Sequence, residues 1–251
     1  MRKFLTGVGV VAATVASTIT LSAPAGSAPK APAPSKVYVV HGLPLDKAGT
    51  KVDVYAGAAG GAAADAGLIA NDFTFKQVAG PLSLAPASYT VYVAGPTASN
   101  DGKLADGEVL FSKTLDVPSG KNLSAVASFD ASANPTINVF ENDVTKTPAN
   151  GGRIAIRHAA AAPEVVVDLG YYPWSRTFSF FNRRYGPVGN GQQGVVTTAA
   201  GPYDVVVRLD ATKARVAAVP RFPVQAGKLR AVYVVGKPGE SLGFLVQTIN
   251  L

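Results

Sequence analysis

Two stretches, Val37-Tyr38-Val39-Val40-His41 and Ile154-Ala155-Ile156-Arg157-His158, share a pattern of alternate apolar residues that ends in histidine. They hold the only two histidines among 251 residues. After a loop, each is followed by a second valine-rich run, Val52-Asp53-Val54-Tyr55 or Val165-Val166-Val167-Asp168-Leu169. Because alternation with a period of two is typical of β-strands, the chain predicts two copies of one β module.

The repeat continues along the rest of each copy. Leu84 to Val93 matches Ala199 to Val207, and Val117-Pro118-Ser119-Gly120-Lys121 matches Val224-Gln225-Ala226-Gly227-Lys228. Valine, threonine and tyrosine recur in short runs that glycine and proline interrupt, as in β proteins. We therefore predict an all-β fold of two tandem antiparallel β-sandwiches of Ig-like or Greek-key type, each with seven or eight strands.

The N-terminus has the features of an export signal. Arg2 and Lys3 precede an uncharged apolar run over residues 4–21, and Ala23-Pro24-Ala25 offers a cleavage site. We predict a signal peptide over residues 1–25. Cleavage after Ala28 is one alternative, and an uncleaved membrane anchor is another, since the run is near the length that spans a bilayer.

Composition divides the remainder of the chain. Residues 26–35 are rich in alanine and proline and predict an extended leader. Residues 36–144 and 153–251 form the two predicted sandwiches, and residues 145–152 form a short linker rich in turn residues. The short linker predicts that the copies lie close together.

Both copies keep one order of residues: a histidine, a valine-aspartate pair and a strand that contains tyrosine. These residues are His41, Pro44, Val52-Asp53-Val54-Tyr55 and Tyr89-Thr90-Val91 in the first copy, and His158-Ala159, Pro163, Val167-Asp168 and Tyr203 in the second. This order resembles the bacterial secreted family called domain of unknown function 4397, over nearly all of residues 36–251. The Ser-Pro-Asp that usually follows the family's histidine is absent from both copies. The resemblance implies a secreted β-sandwich and no established activity.

Charge differs between the copies, although the chain as a whole carries +7. Residues 36–143 carry seven lysines and no arginine against eleven acidic residues, whereas residues 153–251 carry nine arginines and three lysines against five acidic residues. The asymmetry suggests an anionic partner for the second copy or attraction between the copies; drift of solvated surfaces after the duplication is the alternative. The chain has no cysteine, which excludes disulfides, thiol catalysis and cysteine-ligated metals.

The four repeated polar residues His41, Asp53, His158 and Asp168 are predicted to be structural. His158 shares its strand face with Ile154 and Ile156, so we expect a buried ring that bonds either to loop backbone or to the aspartate of its copy. One histidine and one carboxylate per copy are too few for a closed metal site, so we expect no metal and no cofactor.

Gly239-Glu240-Ser241-Leu242-Gly243 matches the G-x-S-x-G pattern of serine hydrolases. That chemistry needs a strand–turn–helix context and a later histidine, and no histidine follows Ser241. We interpret the segment as a hairpin turn and predict that the protein is not an enzyme. A hydrolase remains the alternative, because sequence alone does not exclude a facing pair of carboxylates.

The segment from Tyr171 to Tyr185 holds a third of the chain's aromatic residues, including its only tryptophan, and three arginines. Aromatic faces beside guanidinium groups suit sugar rings, anionic polymers or proteins. An alternative is that Phe178 and Phe180 are core residues and the tyrosines pack at the sandwich edge. The candidate binding residues are Trp174, Arg176, Arg183, Arg184 and Tyr185.

Together these features predict an exported, non-catalytic binding protein, secreted or associated with the cell envelope. Its partner would be an anionic envelope glycan or a protein, bound through the second copy. A structural, self-associating role is the alternative. Nucleic acid is not expected, because no recognised binding motif is present. No segment after the signal peptide is apolar enough over a sufficient length to span a membrane.

Overall fold

The computed structural model describes residues 31–44, 51–95, 103–104, 108–171 and 180–251. The predicted signal peptide, most of the leader, Trp174 and Arg176 lie outside these residues. Within the described residues, no helix is long and apolar enough to cross a membrane.

The described residues form sixteen β-strands and one short 3₁₀ helix at Ala63–Asp65. The eight strands that precede the predicted linker are β1 (Ser35–His41), β2 (Lys51–Ala58), β3 (Gly67–Thr74), β4 (Val78–Leu84), β5 (Ala87–Ala94), β6 (Val109–Val117), β7 (Asn122–Phe129) and β8 (Pro135–Glu141). The eight later strands are β9 (Gly151–Ala160), β10 (Val165–Tyr171), β11 (Phe180–Val188), β12 (Gln193–Ala199), β13 (Gly201–Leu209), β14 (Arg215–Val224), β15 (Lys228–Gly236) and β16 (Gly243–Asn250).

Each set of eight strands forms two four-stranded sheets with the same strand order. The inner sheets are β4-β1-β7-β8 and β12-β9-β15-β16, and the outer sheets are β3-β2-β5-β6 and β11-β10-β13-β14. These sheets confirm the predicted class of two tandem β-sandwiches. One detail of that prediction is wrong: the sheets are not purely antiparallel, because β1 pairs with β7, and β9 with β15, in parallel. Each parallel pair joins strands far apart in the sequence, which no hairpin can connect.

Alternation along the strands fills the core of each sandwich. In the first, Val37 and Val39 of the inner sheet belong to the same buried cluster as Val52 and Val54 of the outer sheet. The cluster of the second sandwich contains Ile154, Ile156, Val165, Val167 and Leu169. Full burial of such side chains contributes about 1.5–3 kcal/mol each. The repeated valine and isoleucine pattern therefore builds two separate cores.

A third cluster joins the two inner sheets. Val40, Val126 and Phe140 of the first sandwich pack with Leu229 and Leu245 of the second. All ten residues of β9 are buried, because one face of this strand meets the core of its own sandwich and the other meets the first sandwich. The copies therefore lie close together, as the short linker predicted.

Arg157 occupies the centre of this contact and is fully buried. Its guanidinium donates to the Tyr233 hydroxyl at 2.5 Å, to Asn142 Oδ1 at 2.6 Å and, through Nε, to Gln193 Oε1 at 2.9 Å. The Tyr233 hydroxyl in turn donates to Gln247 Oε1 at 2.5 Å. These partners are neutral, so this part of the contact does not use the opposite net charges of the two copies.

Candidate functional site

The two histidines are buried at the ends of β1 and β9, where backbone groups contact both ring nitrogens of His158 and one ring nitrogen of His41. His158 Nε2 lies 2.9 Å from the carbonyl oxygen of Pro163, and the Ala160 N–H donates to His158 Nδ1 at 3.4 Å. The Leu43 N–H approaches His41 Nδ1 in the same way, at 3.4 Å. Burial lowers the pKa of His41 to about 4 and also lowers the pKa of His158. Both rings are therefore neutral at pH 7 and closed to solvent.

The repeated aspartates lie away from the histidines, on the outward faces of the outer sheets. Asp53 Oδ1 accepts the backbone N–H of Asp72 at 2.8 Å. Asp168 accepts from Arg184 at 2.6 and 3.1 Å and from Arg208 at 2.9 Å. These hydrogen bonds hold the pKa of Asp168 below its usual value, and the bond from Arg184 has the largest effect. The histidines therefore bond to backbone, as one of the two predictions had it, and not to the aspartates. Adjacent strand residues point to opposite faces, so each aspartate points away from the core that its neighbours in the strand fill.

The same alternation divides the predicted binding residues. Arg183, Arg184 and Tyr185 are consecutive on the edge strand β11. Arg184 points outward to Asp168, whereas Arg183 and Tyr185 share the opposite face. Arg184 therefore lies on a different face of β11 from the other two candidate binding residues.

Arg183 and Tyr185 line a pocket of 310 Å³ at the open side of the second sandwich. The edge strand β11 supplies these two residues, and the edge strand β12 of the inner sheet supplies the facing wall. We call this site the tyrosine pocket. Its lining residues are Leu169, Tyr171, Arg183, Tyr185, Thr198, Ala199 and Tyr203.

Hydrogen bonds fix the base of the tyrosine pocket. The Tyr203 hydroxyl lies 2.8 Å from Thr198 Oγ1 and donates to the Ala199 carbonyl oxygen at 3.1 Å. The ring centroids of Tyr171 and Tyr203 are 5.2 Å apart and their planes are tilted by 53°. These contacts hold Tyr203 rigidly and orient the ring of Tyr171, which is half-buried.

The charge in the pocket comes from Arg183, which is exposed. Its interaction with the Tyr185 hydroxyl raises the pKa of Arg183 above its ordinary value, so the guanidinium is charged at every accessible pH. No acidic side chain is among the described residues that line the pocket. The arrangement can therefore pair with one anionic group and present aromatic surface to the atoms beside it.

The first sandwich keeps part of this geometry. Tyr89 donates to the carbonyl oxygen of Ala85, four residues earlier, at 3.0 Å, as Tyr203 does to Ala199. However, the residue opposite Tyr89 is Ala58, whereas Tyr171 lies opposite Tyr203. The first copy thus retains the bonded tyrosine without the aromatic partner.

The arginine of the pocket also has no counterpart in the first copy. The edge strand β3, which occupies the place of β11 in the first sandwich, contains no arginine. In the sequence, this site is indicated by aromatic and basic residues that the second copy has and the first copy lacks. Thr198 and Tyr203 gave no such signal, because they come from other strands, although the tyrosine is part of the repeat.

The G-x-S-x-G segment forms the turn between the antiparallel strands β15 and β16, as predicted. The Ser241 hydroxyl accepts the backbone N–H of Lys237 at 3.2 Å. Among the described residues, no three metal-ligating side chains come together.

The fold and the site define a protein of two packed β-sandwiches with an arginine–tyrosine pocket in the second. Residues 35–168, more than half of the chain, match the family described as Domain of unknown function (DUF4397), and the chain belongs to this family. The match begins at β1 and ends at Asp168 in β10. No curated protein matches the chain in sequence.

Several solved structures are similar to the chain at low identity. The fimbrial anchor protein Mfa2 from Porphyromonas gingivalis is 10% identical, with a TM-score of 0.26, over 87% of this chain and 98% of that one. The TIE protein of Bacillus anthracis is 10% identical, with a TM-score of 0.24, over 82% and 34% of the two chains. A candidate adhesin from Bacteroides ovatus is 12% identical, with a TM-score of 0.23, over 86% and 95%. At these TM-scores the similarities carry no argument about function.

Proposed function

We propose that this chain is an exported, non-catalytic binding protein whose tyrosine pocket binds an anionic glycan of the cell envelope. The observation that carries the proposal is the meeting of Arg183 with Tyr171, Tyr185 and Tyr203 in one pocket. A guanidinium pairs with an anionic group, and aromatic rings offer an apolar face to a sugar. Export is inferred from the charged start and apolar run of residues 1–25.

The size of the pocket favours a glycan over a protein surface. At 310 Å³ it lies at the lower end of the range for small-ligand sites, which suits one or two sugar rings. A stable protein interface instead buries about 800 Å² on each partner and needs a broader surface. Binding rather than cleavage is proposed because glycoside hydrolysis ordinarily uses two facing carboxylates, and the described lining residues include none.

Two neighbouring arginines provide a matched test. Arg183→Gln and Arg184→Gln change the net charge equally, but only Arg183 lines the pocket. The assay is co-sedimentation of each protein with isolated cell envelopes across a salt series. We expect wild-type binding to weaken as salt rises, because an exposed guanidinium is screened. Arg183→Gln should reduce binding at low salt about tenfold, whereas Arg184→Gln should bind as wild type does.

Equal losses in both variants would indicate general attraction to a charged surface and would contradict a role for the pocket. Sedimentation of Arg183→Gln at the wild-type level would also refute it. Treating the envelopes with protease distinguishes a protein partner, since glycan binding should survive that treatment.

A further inference from the structure

We infer that the tyrosine pocket recognises a hexuronic acid, a pyranose ring that carries a carboxylate, and that Arg183 selects it over the neutral sugar. This inference rests on the proposed function and specifies its ligand. It follows from three properties of the pocket: the number of its cations, the hydroxyl groups that are already bonded, and the position of the rings.

The number of cations limits the charge of the ligand. Arg183 is the cationic residue among the described residues that line the pocket. A guanidinium binds a carboxylate through two parallel N–H···O bonds and balances its single charge. A phosphate monoester carries about 1.5–2 negative charges at pH 7, so part of its charge would remain unpaired beside the tyrosine rings.

The bonded hydroxyl groups argue against larger anions. Thr198 and Tyr203 are bonded to each other, and Tyr203 also bonds to backbone. The hydroxyl protons of Thr198 and Tyr203 are therefore both engaged, so neither can donate to the third terminal oxygen of a sulfate. An unpaired polar group in a partly dry site is costly. A carboxylate has two oxygens, which the guanidinium alone can satisfy.

The tyrosine rings suit a pyranose. Tyr171 is held against Tyr203 at a centroid distance of 5.2 Å and remains half-buried, so part of its surface faces the pocket. The C–H groups of a pyranose form an apolar face that can pack on such a ring, while the hydroxyls at the rim point to water. In a hexuronic acid the carboxylate extends from the edge of the ring, within reach of a group beside the aromatic surface.

The inference is tested with three probes that share one backbone. These are cellotetraose, its C6-oxidised glucuronate form and its 6-O-sulfated form, each titrated calorimetrically into the full chain at low salt. We expect the glucuronate tetramer to bind at least about tenfold more tightly than the neutral and sulfated tetramers, the effect of one charge-assisted hydrogen bond. Arg183→Gln should reduce its affinity to that of the neutral tetramer, and Arg184→Gln should leave it unchanged. Tyr171→Leu should weaken binding of the glucuronate and neutral tetramers alike.

The outcomes separate this inference from the proposed function. If the neutral or the sulfated tetramer binds as tightly as the glucuronate or more tightly, selection of a carboxylate is refuted while glycan binding stands. If no tetramer binds but envelope sedimentation still depends on Arg183, the hexuronic acid is refuted and an anionic ligand stands. If neither assay depends on Arg183, both proposals fail.

Discussion

Replacing Arg157 by alanine tests how the two sandwiches are held together. The side chain is fully buried, and the rings of Phe140 and Tyr233 lie 5.2 and 5.1 Å from its guanidinium carbon. It donates to Tyr233, Asn142 and Gln193. Burial lowers the pKa of Arg157, yet an arginine remains charged in a protein at pH 7. The residue is therefore a buried cation whose partners are all neutral groups.

The expected loss of stability follows from these contacts. The bond to Gln193 and a fourth bond, at 3.3 Å to the carbonyl oxygen of Glu141, are only partly buried, and both acceptors can bond to water. Two fully buried hydrogen bonds are therefore lost, at about 1.5 kcal/mol each. Removing two methylene groups costs about 1.6 kcal/mol more. Relief of the desolvated charge offsets part of the sum, and we expect Arg157→Ala to lower the free energy of unfolding by about 3 kcal/mol. Arg157→Met fills most of the volume without a charge and should lose only about 1 kcal/mol.

Urea denaturation followed by far-UV circular dichroism at pH 7 measures both variants. Arg215→Ala is the matched control, because Arg215 is exposed on β14 and should change stability by less than about 0.5 kcal/mol. A loss below about 1 kcal/mol for Arg157→Ala would show that the two sandwiches do not depend on this residue. Equal losses for the alanine and methionine variants would refute the claim that lost volume contributes.

Three further predictions concern pH and packing. Burial lowers the pKa of His41 to about 4, so between pH 6.5 and pH 4 the unfolded chain binds a proton at this residue that the folded chain does not. The free energy of unfolding should therefore fall by about 2–3 kcal/mol from pH 7 to pH 4.5. Urea titrations should show a smaller fall for His41→Leu. The pKa of Asp168 is lowered, chiefly by its hydrogen bond from Arg184, so its contribution is present above pH 4 and is lost as the pH falls through the lowered value. Asp168→Asn should cost about 1 kcal/mol at pH 7 and progressively less as the pH falls below 4 in thermal denaturation. A Cβ on Gly152 would lie 2.3 Å from the carbonyl oxygen of Gln225, so Gly152→Ala should cost about 3 kcal/mol in urea denaturation.

Each of these predictions has a result that would contradict it. Equal pH dependence for wild type and His41→Leu would show that this histidine does not control the acid response. A loss for Asp168→Asn that stays constant as the pH falls below 4 would assign its effect to packing rather than charge. Gly227→Ala is the control for Gly152→Ala, because Gly227 has φ +66° and open space around its Cβ position. That control should cost about 1 kcal/mol, so a similar loss in both variants would exclude a steric cause.

The two sandwiches could be predicted from the sequence because apolar residues occupy every second position along the strands, and these positions face the core. Ile154, Ile156 and His158 share one face of β9, and all three are buried. The turn at Ser241 was also predictable, since two apolar runs flank a glycine-rich segment. The parallel pairs were not predictable, because hydrophobic alternation fixes which face a residue occupies but not which strand lies beside it.

The burial of Arg157 could not be inferred from local pattern. A charged residue at an alternate position normally indicates the solvent face of a strand, and here that face is covered by the other sandwich. The neighbouring Ala155 and Ala159 are the only local signs of a close contact. The division of Arg183 from Arg184 was within reach of the sequence, because consecutive strand residues point to opposite faces. Applying that rule requires knowing that Arg183 and Arg184 lie in one strand, and the aromatic composition of the segment does not indicate a strand.

The packing of the two copies explains why the candidate site lies at an edge strand of the second outer sheet. Strand β9 is covered on both faces and most of β15 is buried, so a new side chain there must fit two neighbours at once. Strand β11 has a free edge, and one of its faces borders the gap between the sheets, so an arginine can enter without displacing a core residue. In the first copy the residue opposite the bonded Tyr89 is Ala58, so an arginine on the edge strand β3 would gain a charge without that aromatic partner. The proposed recognition of a sugar therefore requires both the edge position and the residues across the sheet, and among the described residues the second copy combines them.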